Sequence, residues 1–291
     1  MFIFNYTRLM RFKTSFLIGF SGILGSWFYV NDNIITLSYR DIFIKISTVF
    51  LLVLFSSGSL NLFNDIIDLK IDKELKPERI LVQGLVSIQN AYIFFILLIV
   101  FCLLLSISLN FIVFIIYIIM LIVGIFYSLL LENIPLLKNF IVAFSISMSI
   151  LVGYLSFLNK LILNLSNHMV IIFGLSICSI LAFELQKDIN DVDIDRKYHK
   201  MTFPVVFGKK NSAILVYVFY WFIAIIFWIY LLFVSINTTI YLAIPLIGIQ
   251  LIILLSLHNI MSNQSYEYLE KARIRAYSLF FVTLIALFFL K

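Results

Sequence analysis

The chain is poor in charge. Only 12% of its 291 residues are Asp, Glu, Lys or Arg, against 63% that are hydrophobic, and the mean hydropathy is +1.10. Soluble domains carry about a quarter charged residues, so this composition excludes a water-soluble globular protein and makes lipid the solvent for most of the chain. There are two cysteines, Cys102 and Cys178, both inside apolar runs. That rules out a disulfide framework and a thiolate metal centre. The three histidines, His168, His199 and His258, show no ligand spacing. No stretch alternates apolar and polar residues as a lipid-facing barrel would. With sheet edges excluded from the hydrocarbon region, the expected fold class is all-α and polytopic.

About 20 apolar residues span a bilayer as a helix. On that basis nine spans are expected, near 12–30, 42–64, 90–109, 111–130, 140–158, 167–187, 213–234, 238–257 and 273–290. The first follows Arg8, Arg11 and Lys13, as a signal peptide would, but no small-residue cleavage site follows it, so it reads as a retained helix. Two long charged connections, 65–89 and 188–212, stand out, and a third, 258–272, is polar. With the N-terminus inside, 17 of the 21 Lys and Arg residues fall on the inner side. Arg40, Lys45, Lys160 and Lys291 fall outside. The positive-inside rule therefore predicts a cell-membrane protein with a cytoplasmic N-terminus and cytoplasmic charged loops. The net charge of +6 is explained by this asymmetry and gives no reason to invoke nucleic acid.

Ten of the fifteen acidic residues lie in two short stretches: Asp65, Asp68, Asp72, Glu74, Glu78, and Glu184, Asp188, Asp191, Asp193, Asp195. The set Asn61, Asp65, Asp68, Asp72 recurs 123 positions later as Glu184, Asp188, Asp191, Asp195. Such self-similarity suggests an internal repeat within one domain of 1–291, with halves near 1–135 and 136–291. Positions i, i+4, i+7 and i+11 share one helix face, so each set is a stripe of carboxylates leaving the inner end of a span. Two such stripes brought together would repel without a cation between them. Hard oxygen donors suit Mg²⁺, which is usually held by one or two carboxylates plus substrate phosphates. Lys73, Lys76, Arg79, Lys187 and Lys200 are near enough in sequence to contact phosphates. Two other readings compete. Solvated loops would not repeat one pattern twice on the same side of the membrane, and an ion or proton pathway would place acids nearer mid-span.

At these residues the chain resembles the UbiA superfamily of membrane prenyltransferases. The stretch from Asn61 to Ser87 matches that family's first motif through Asn64, Asp65, Asp68, Asp72, Pro77, Arg79 and Gly84. The stretch from Glu184 to Gly208 matches the second through Lys187, Asp188, Asp191, Asp195, Thr202, Pro204 and Gly208. A weaker third match runs through Tyr127, Pro135 and Asn139. Ile80, Phe12, Asp193, Ile194 and Glu132 depart from the family's usual residues. The resemblance implies transfer of a prenyl group from a polyprenyl diphosphate, with Mg²⁺ as cofactor. It implies Asn61, Asp65 and Asp68 at one metal and Asp188 and Asp191 at a second. Asp72 and Asp195 would act through water or lysine, and Arg79, Lys73 and Lys187 would contact the diphosphate, with Asn64 beside them. The form of the second motif resembles the branch that prenylates geranylgeranylglyceryl phosphate in ether-lipid synthesis, and aromatic or pigment acceptors are the alternative. A phosphorylated acceptor needs cations of its own, for which Arg8, Arg11, Lys13 and Lys200 are candidates. Pro77 and Gly84, and Pro204 and Gly208, are expected to fold each loop as a short helix or turn. Gly124, Gly153 and Gly174 are expected to permit close helix approach.

Overall fold

The computed structural model describes residues 2–33, 37–131, 134–158, 165–234 and 240–289. Glu132, Lys160 and Lys291 lie outside the described residues. The described residues form helices and no strand. In chain order they are α1 (Phe2–Leu9), α2 (Phe12–Asp32), α3 (Tyr39–Ile67), α4 (Leu69–Leu75), α5 (Ile88–Leu109), α6 (Phe111–Phe126) and α7 (Leu137–Leu155). They continue as α8 (Asn167–Lys197), α9 (Phe203–Phe207), α10 (Lys209–Val234), α11 (Ile240–Leu257) and α12 (Tyr266–Phe289). Among the described residues, seven segments are long and apolar enough to cross a membrane: α3, α5, Phe111–Leu129, α7, α8, Lys209–Leu231 and Ile244–Met261. The expected spans 12–30 and 273–290 fall on α2 and α12, which are not among those seven.

Helix starts follow local chemistry. Ser38, Ser87 and Asn110 cap α3, α5 and α6 by accepting from the backbone N–H three residues on, which satisfies donors that a helix N-terminus leaves free. Along α5 the buried side chains Ala91, Phe95, Leu98, Cys102, Ser106 and Leu109 keep helical spacing, while Ile93, Ile96, Leu97, Val100 and Leu104 are exposed. A helix that is apolar on both faces, with one face uncovered, belongs in lipid.

The chain forms two compact units, Met1–Glu132 with Ser145–Met169, and Asn133–Phe144 with Val170–Lys291. In the first, α2 lies against the later part of α7 at backbone distance. A Cβ on Gly25 would fall 1.8 Å from the Ile150 carbonyl oxygen, and one on Gly153 would fall 2.0 Å from that of Gly22. Ser26 donates to the Gly153 carbonyl at 3.2 Å across the same contact. This is the small-residue packing that lipid-embedded helices use. Gly124 is likewise filled by Leu60 of α3. Gly174 departs from expectation: among the described residues nothing would lie within 4 Å of a Cβ there. In the second unit, Leu185, Ile189 and Val192 of α8, Val216, Tyr220 and Phe227 of α10, and Leu269, Ala272 and Ala276 of α12 are buried.

α3 and α8 matter most for the site. At 29 and 31 residues they are about 44 and 46 Å long, well beyond the ~30 Å hydrocarbon thickness. Their last turns, which carry the carboxylates, therefore project past the apolar core.

Candidate active site

The second carboxylate stripe sits on one unbroken helix, because α8 runs through Asp195. The first does not. α3 ends at Ile67, Asp68 adopts φ −78°, ψ 3°, and α4 carries Asp72. The hydrogen-bond ladder nevertheless continues, from Asp68 N–H to the Asn64 carbonyl and from Asp72 N–H to the Asp68 carbonyl, each at 2.9 Å. The bend thus tilts the stripe without changing its spacing.

The two stripes repeat in environment as well as in sequence. Asp65 and its counterpart Asp188 are buried, at 6% and 2% exposure, and so are Asp72 and its counterpart Asp195. Asp68 and Asp191 are both half-buried. Burying an ionised carboxylate is costly unless it is paired and hydrogen-bonded, and the structure supplies the partners. Asp65 Oδ1 accepts from Arg11 at 2.5 Å and also from Arg79. Arg79 lies 3.2 Å from Asp72, and Lys76 lies 3.4 Å from it. Asp188 accepts from Lys138 and from Asn139, each at 2.8 Å. Asp195 accepts from Thr202 at 3.0 Å. Asn64 donates to Asp68 at 2.8 Å, and Asn61 donates to Ser15 at 3.3 Å.

The expected phosphate contacts are distributed unevenly. Arg79 and Arg11 sit on Asp65. Lys73 and Lys187 are exposed at the charged helix ends, with Lys187 3.6 Å from Glu184. Lys200 follows α8, and its backbone N–H closes onto the Asp195 carbonyl at 2.9 Å. Each loop contains a short helix, α4 in the first and α9 in the second. α4 and the turns after it carry Ile80, Leu81 and Val86 into a core with Leu9, Leu62 and Phe63. α9 ends at Gly208, whose φ of 87° and ψ of 155° suit only glycine.

Three of these partners have no role legible in the sequence. Lys138 is there one of the inner-side positive charges, and Asn139 and Thr202 are motif positions whose spacing names no partner. All three hold a carboxylate of the second stripe.

Among the described residues no three His, Cys, Asp or Glu side chains converge as a cage for an ion. Mg²⁺ does not need one, since it keeps water and substrate oxygens around one or two carboxylates. The donor set fits it: the oxygens are hard, and they stand at a polar helix end. Among the described residues three buried side-chain oxygens, Asp72 Oδ2, Asn139 Oδ1 and Asn190 Oδ1, accept no hydrogen bond, although the Arg79 guanidinium lies close to the first without the alignment of a hydrogen bond.

A multi-span helical protein with repeated, cation-paired carboxylates at the polar ends of its helices has the architecture of a membrane prenyltransferase. The UbiA prenyltransferase family matches residues 35–285, and the chain belongs to that family. It is 31% identical over 216 residues to the digeranylgeranylglyceryl phosphate synthase of Methanosarcina mazei, covering 72% of this chain and 73% of that one. It is 26% identical over 219 residues to that of Pyrococcus horikoshii, with 74% and 73% covered. A solved structure of digeranylgeranylglyceryl phosphate synthase shares its fold, with a TM-score of 0.76 and 24% identity over 98% of this chain and 96% of that one. A UbiA homologue from Archaeoglobus fulgidus bound to GPP and Mg²⁺ does so with a TM-score of 0.68 and 18% identity over 97% and 99%.

Proposed function

We propose that the protein transfers a geranylgeranyl group from its diphosphate to the free hydroxyl of geranylgeranylglyceryl phosphate, in ether-lipid synthesis. The observation that carries this is the pair of buried, cation-held carboxylates, Asp65 and Asp188, at equivalent places on two long apolar helices. The name shared by the relatives supports the acceptor. The charge count supports a cytoplasmic N-terminus and cytoplasmic carboxylate ends.

The barrier is heterolysis of the allylic C–O bond, which leaves negative charge on the diphosphate and positive charge on the allyl carbon. Asn61, Asp65 and Asp68 in one unit, and Asp188 and Asp191 in the other, would hold Mg²⁺. When bound, the metal supplies Lewis-acid stabilisation of the leaving diphosphate. Arg79, Lys73 and Lys187 would meet phosphate oxygens, because guanidinium and ammonium donors to phosphate are short and charge-assisted. Lys138 and Asn139 hold Asp188 in a single orientation, and Asn64 does the same for Asp68. Such preorganised groups lower the barrier without reorganising during the reaction. The surrounding lipid keeps water from the cation. The new bond joins the allyl carbon to the acceptor oxygen, and the proton of the hydroxyl that breaks there passes to the released diphosphate.

The test is transfer by purified protein with labelled geranylgeranyl diphosphate, Mg²⁺ and four acceptors: geranylgeranylglyceryl phosphate, homogentisate, 4-hydroxybenzoate and a dihydroxynaphthoate. Product with the glycerol phosphate ether alone, abolished by EDTA, is expected. Product with an aromatic acceptor instead would keep the chemistry and overturn the acceptor. No diphosphate release with any acceptor would refute prenyl transfer.

A further inference from the structure

In the first unit a cavity of about 290 Å³ is lined by Arg8, Leu9, Arg11, Asp65, Glu78, Arg79 and Ile80. Three guanidiniums converge there against two carboxylates. One of those carboxylates, Asp65, is already paired with Arg11 and Arg79. Arg8 is the one of the three with no carboxylate oxygen within 4 Å among the described residues. Its contacts are the Glu78 carbonyl at 3.2 Å and the Phe4 ring at 5.9 Å.

The corner that delivers these arginines is strained. Arg11 has φ 48° and ψ 53°, the left-handed region, which a side chain bearing a Cβ rarely adopts. Glycine would adopt it freely, yet the position carries a guanidinium. The corner is also rigid. Leu9 and Met10 are buried, Met10 packs against Gly58, and Ser15 donates to the Met10 carbonyl at 2.8 Å. Strain that the surroundings hold in place points to a role for the residue that bears it. Here its result is to bring Arg8 and Arg11 to the same cavity as Arg79. Lys13, two residues on, is exposed and does not line it.

We infer that this cavity is the subsite for the phosphate monoester of the acceptor. Arg8 is its specificity-determining residue: the cavity borders the donor site through Asp65 and Arg79, and Arg8 is not among the groups assigned to the donor diphosphate or its metal. Fork-shaped guanidiniums suit a phosphate dianion, and Leu9 and Ile80 beside them suit a phosphate carried on a carbon skeleton. The site would favour a phosphate monoester, which carries about −1.5 to −2 charge at pH 7 and three strong acceptor oxygens, over the single charge and two oxygens of an aromatic acceptor's carboxylate. The inference rests on the proposed function, and the same phosphate chemistry could come from the donor, so the test separates the two.

Initial rates are measured for the full chain in detergent with Mg²⁺ and geranylgeranyl diphosphate. The acceptor is geranylgeranylglyceryl phosphate or its dephosphorylated alcohol. Arg8→Gln should raise the KM for the phosphorylated acceptor about tenfold, the worth of one hydrogen bond to a charged group, and should shift the donor KM less than twofold. The preference for phosphate over alcohol should fall by the same factor. Arg8→Lys should recover part of the loss, and inorganic phosphate should compete with the acceptor alone. A rise in donor KM with the acceptor KM unmoved would make the cavity a diphosphate subsite and overturn the inference. A fall in kcat with both KM values unmoved would leave Arg8 as a tether for the Glu78 loop and overturn it too. If the wild type turns over the phosphate ether and Arg8→Gln changes nothing, the cavity assignment alone fails. If the wild type ignores that ether, the proposed function fails and the inference falls with it.

Discussion

Lys138→Met probes the support of the second stripe directly. Methionine keeps a long apolar stem and removes the charge. The ammonium of Lys138 lies 2.8 Å from Asp188, with side-chain exposures of 15% and 3%. Breaking a buried pair by removing one partner costs about 3–5 kcal/mol, because the other charge stays buried. The lower end, about 3 kcal/mol, applies here because Asn139 still donates to Asp188. Domains of about 150–250 residues lose roughly 2–4 °C of Tm per kcal/mol, so the expected fall is about 6–12 °C. Thermal unfolding in detergent, followed by tryptophan fluorescence, reads it. Trp221 and Trp228 lie on α10, in the same unit as Lys138. The double variant Lys138→Met/Asp188→Asn removes the stranded charge and should regain at least half of the loss. That non-additivity is the signature of direct coupling. A single variant within about 2 °C of wild type, or a double variant as unstable as the single, would refute the reasoning.

Asp65→Asn and Asp188→Asn should each lower transfer by at least about 10²-fold, the scale of losing a group that stabilises developing charge, while both proteins elute as folded species from gel filtration. Near-normal rates in both would show that these residues do not hold the metal. Gly25→Ala should markedly lower the yield of folded protein, since its Cβ would sit 1.8 Å from the Ile150 carbonyl oxygen. Gly174→Ala, with open space around it, should leave Tm unchanged or raise it slightly. Equal behaviour of the two alanine variants in a thermal melt would show that the α2–α7 contact is not as close as described.

What could be read from the sequence was what repeats locally. The spacing of Asp188, Asp191 and Asp195 needs only helical geometry, and α8 carries all three on one helix. The long apolar runs needed only counting. Partners set by tertiary packing could not be read in this way. Arg11 and Asp65 are 54 positions apart, and Lys138 and Asp188 are 50 apart, distances at which sequence pattern carries no register. The left-handed corner at Arg11 was hidden for a different reason. With no glycine, asparagine or proline there, nothing local announces a positive φ, and tertiary contacts around Leu9, Met10 and Ser15 impose it. Gly174 shows the converse error, in which a residue that could permit close approach meets no neighbour.

The spacing shared at an offset of 123 is matched by where burial falls. Shared spacing alone could arise because any helical carboxylate stripe prefers it. Burial is decided by packing, and it follows the same order twice: Asp65 and Asp188 buried, Asp68 and Asp191 half-buried, Asp72 and Asp195 buried. The neutralising groups do not repeat. Two arginines, one from α2's N-terminal corner and one from the α4 loop, serve Asp65, whereas a lysine and an asparagine from the start of α7 serve Asp188. The carboxylates of the two stripes correspond while their counter-ions differ, which is what a proposed repeat whose two ends bind different ligands would give. The arginine-rich end is the one proposed to take a second anion, and the Arg8 experiment tests that asymmetry.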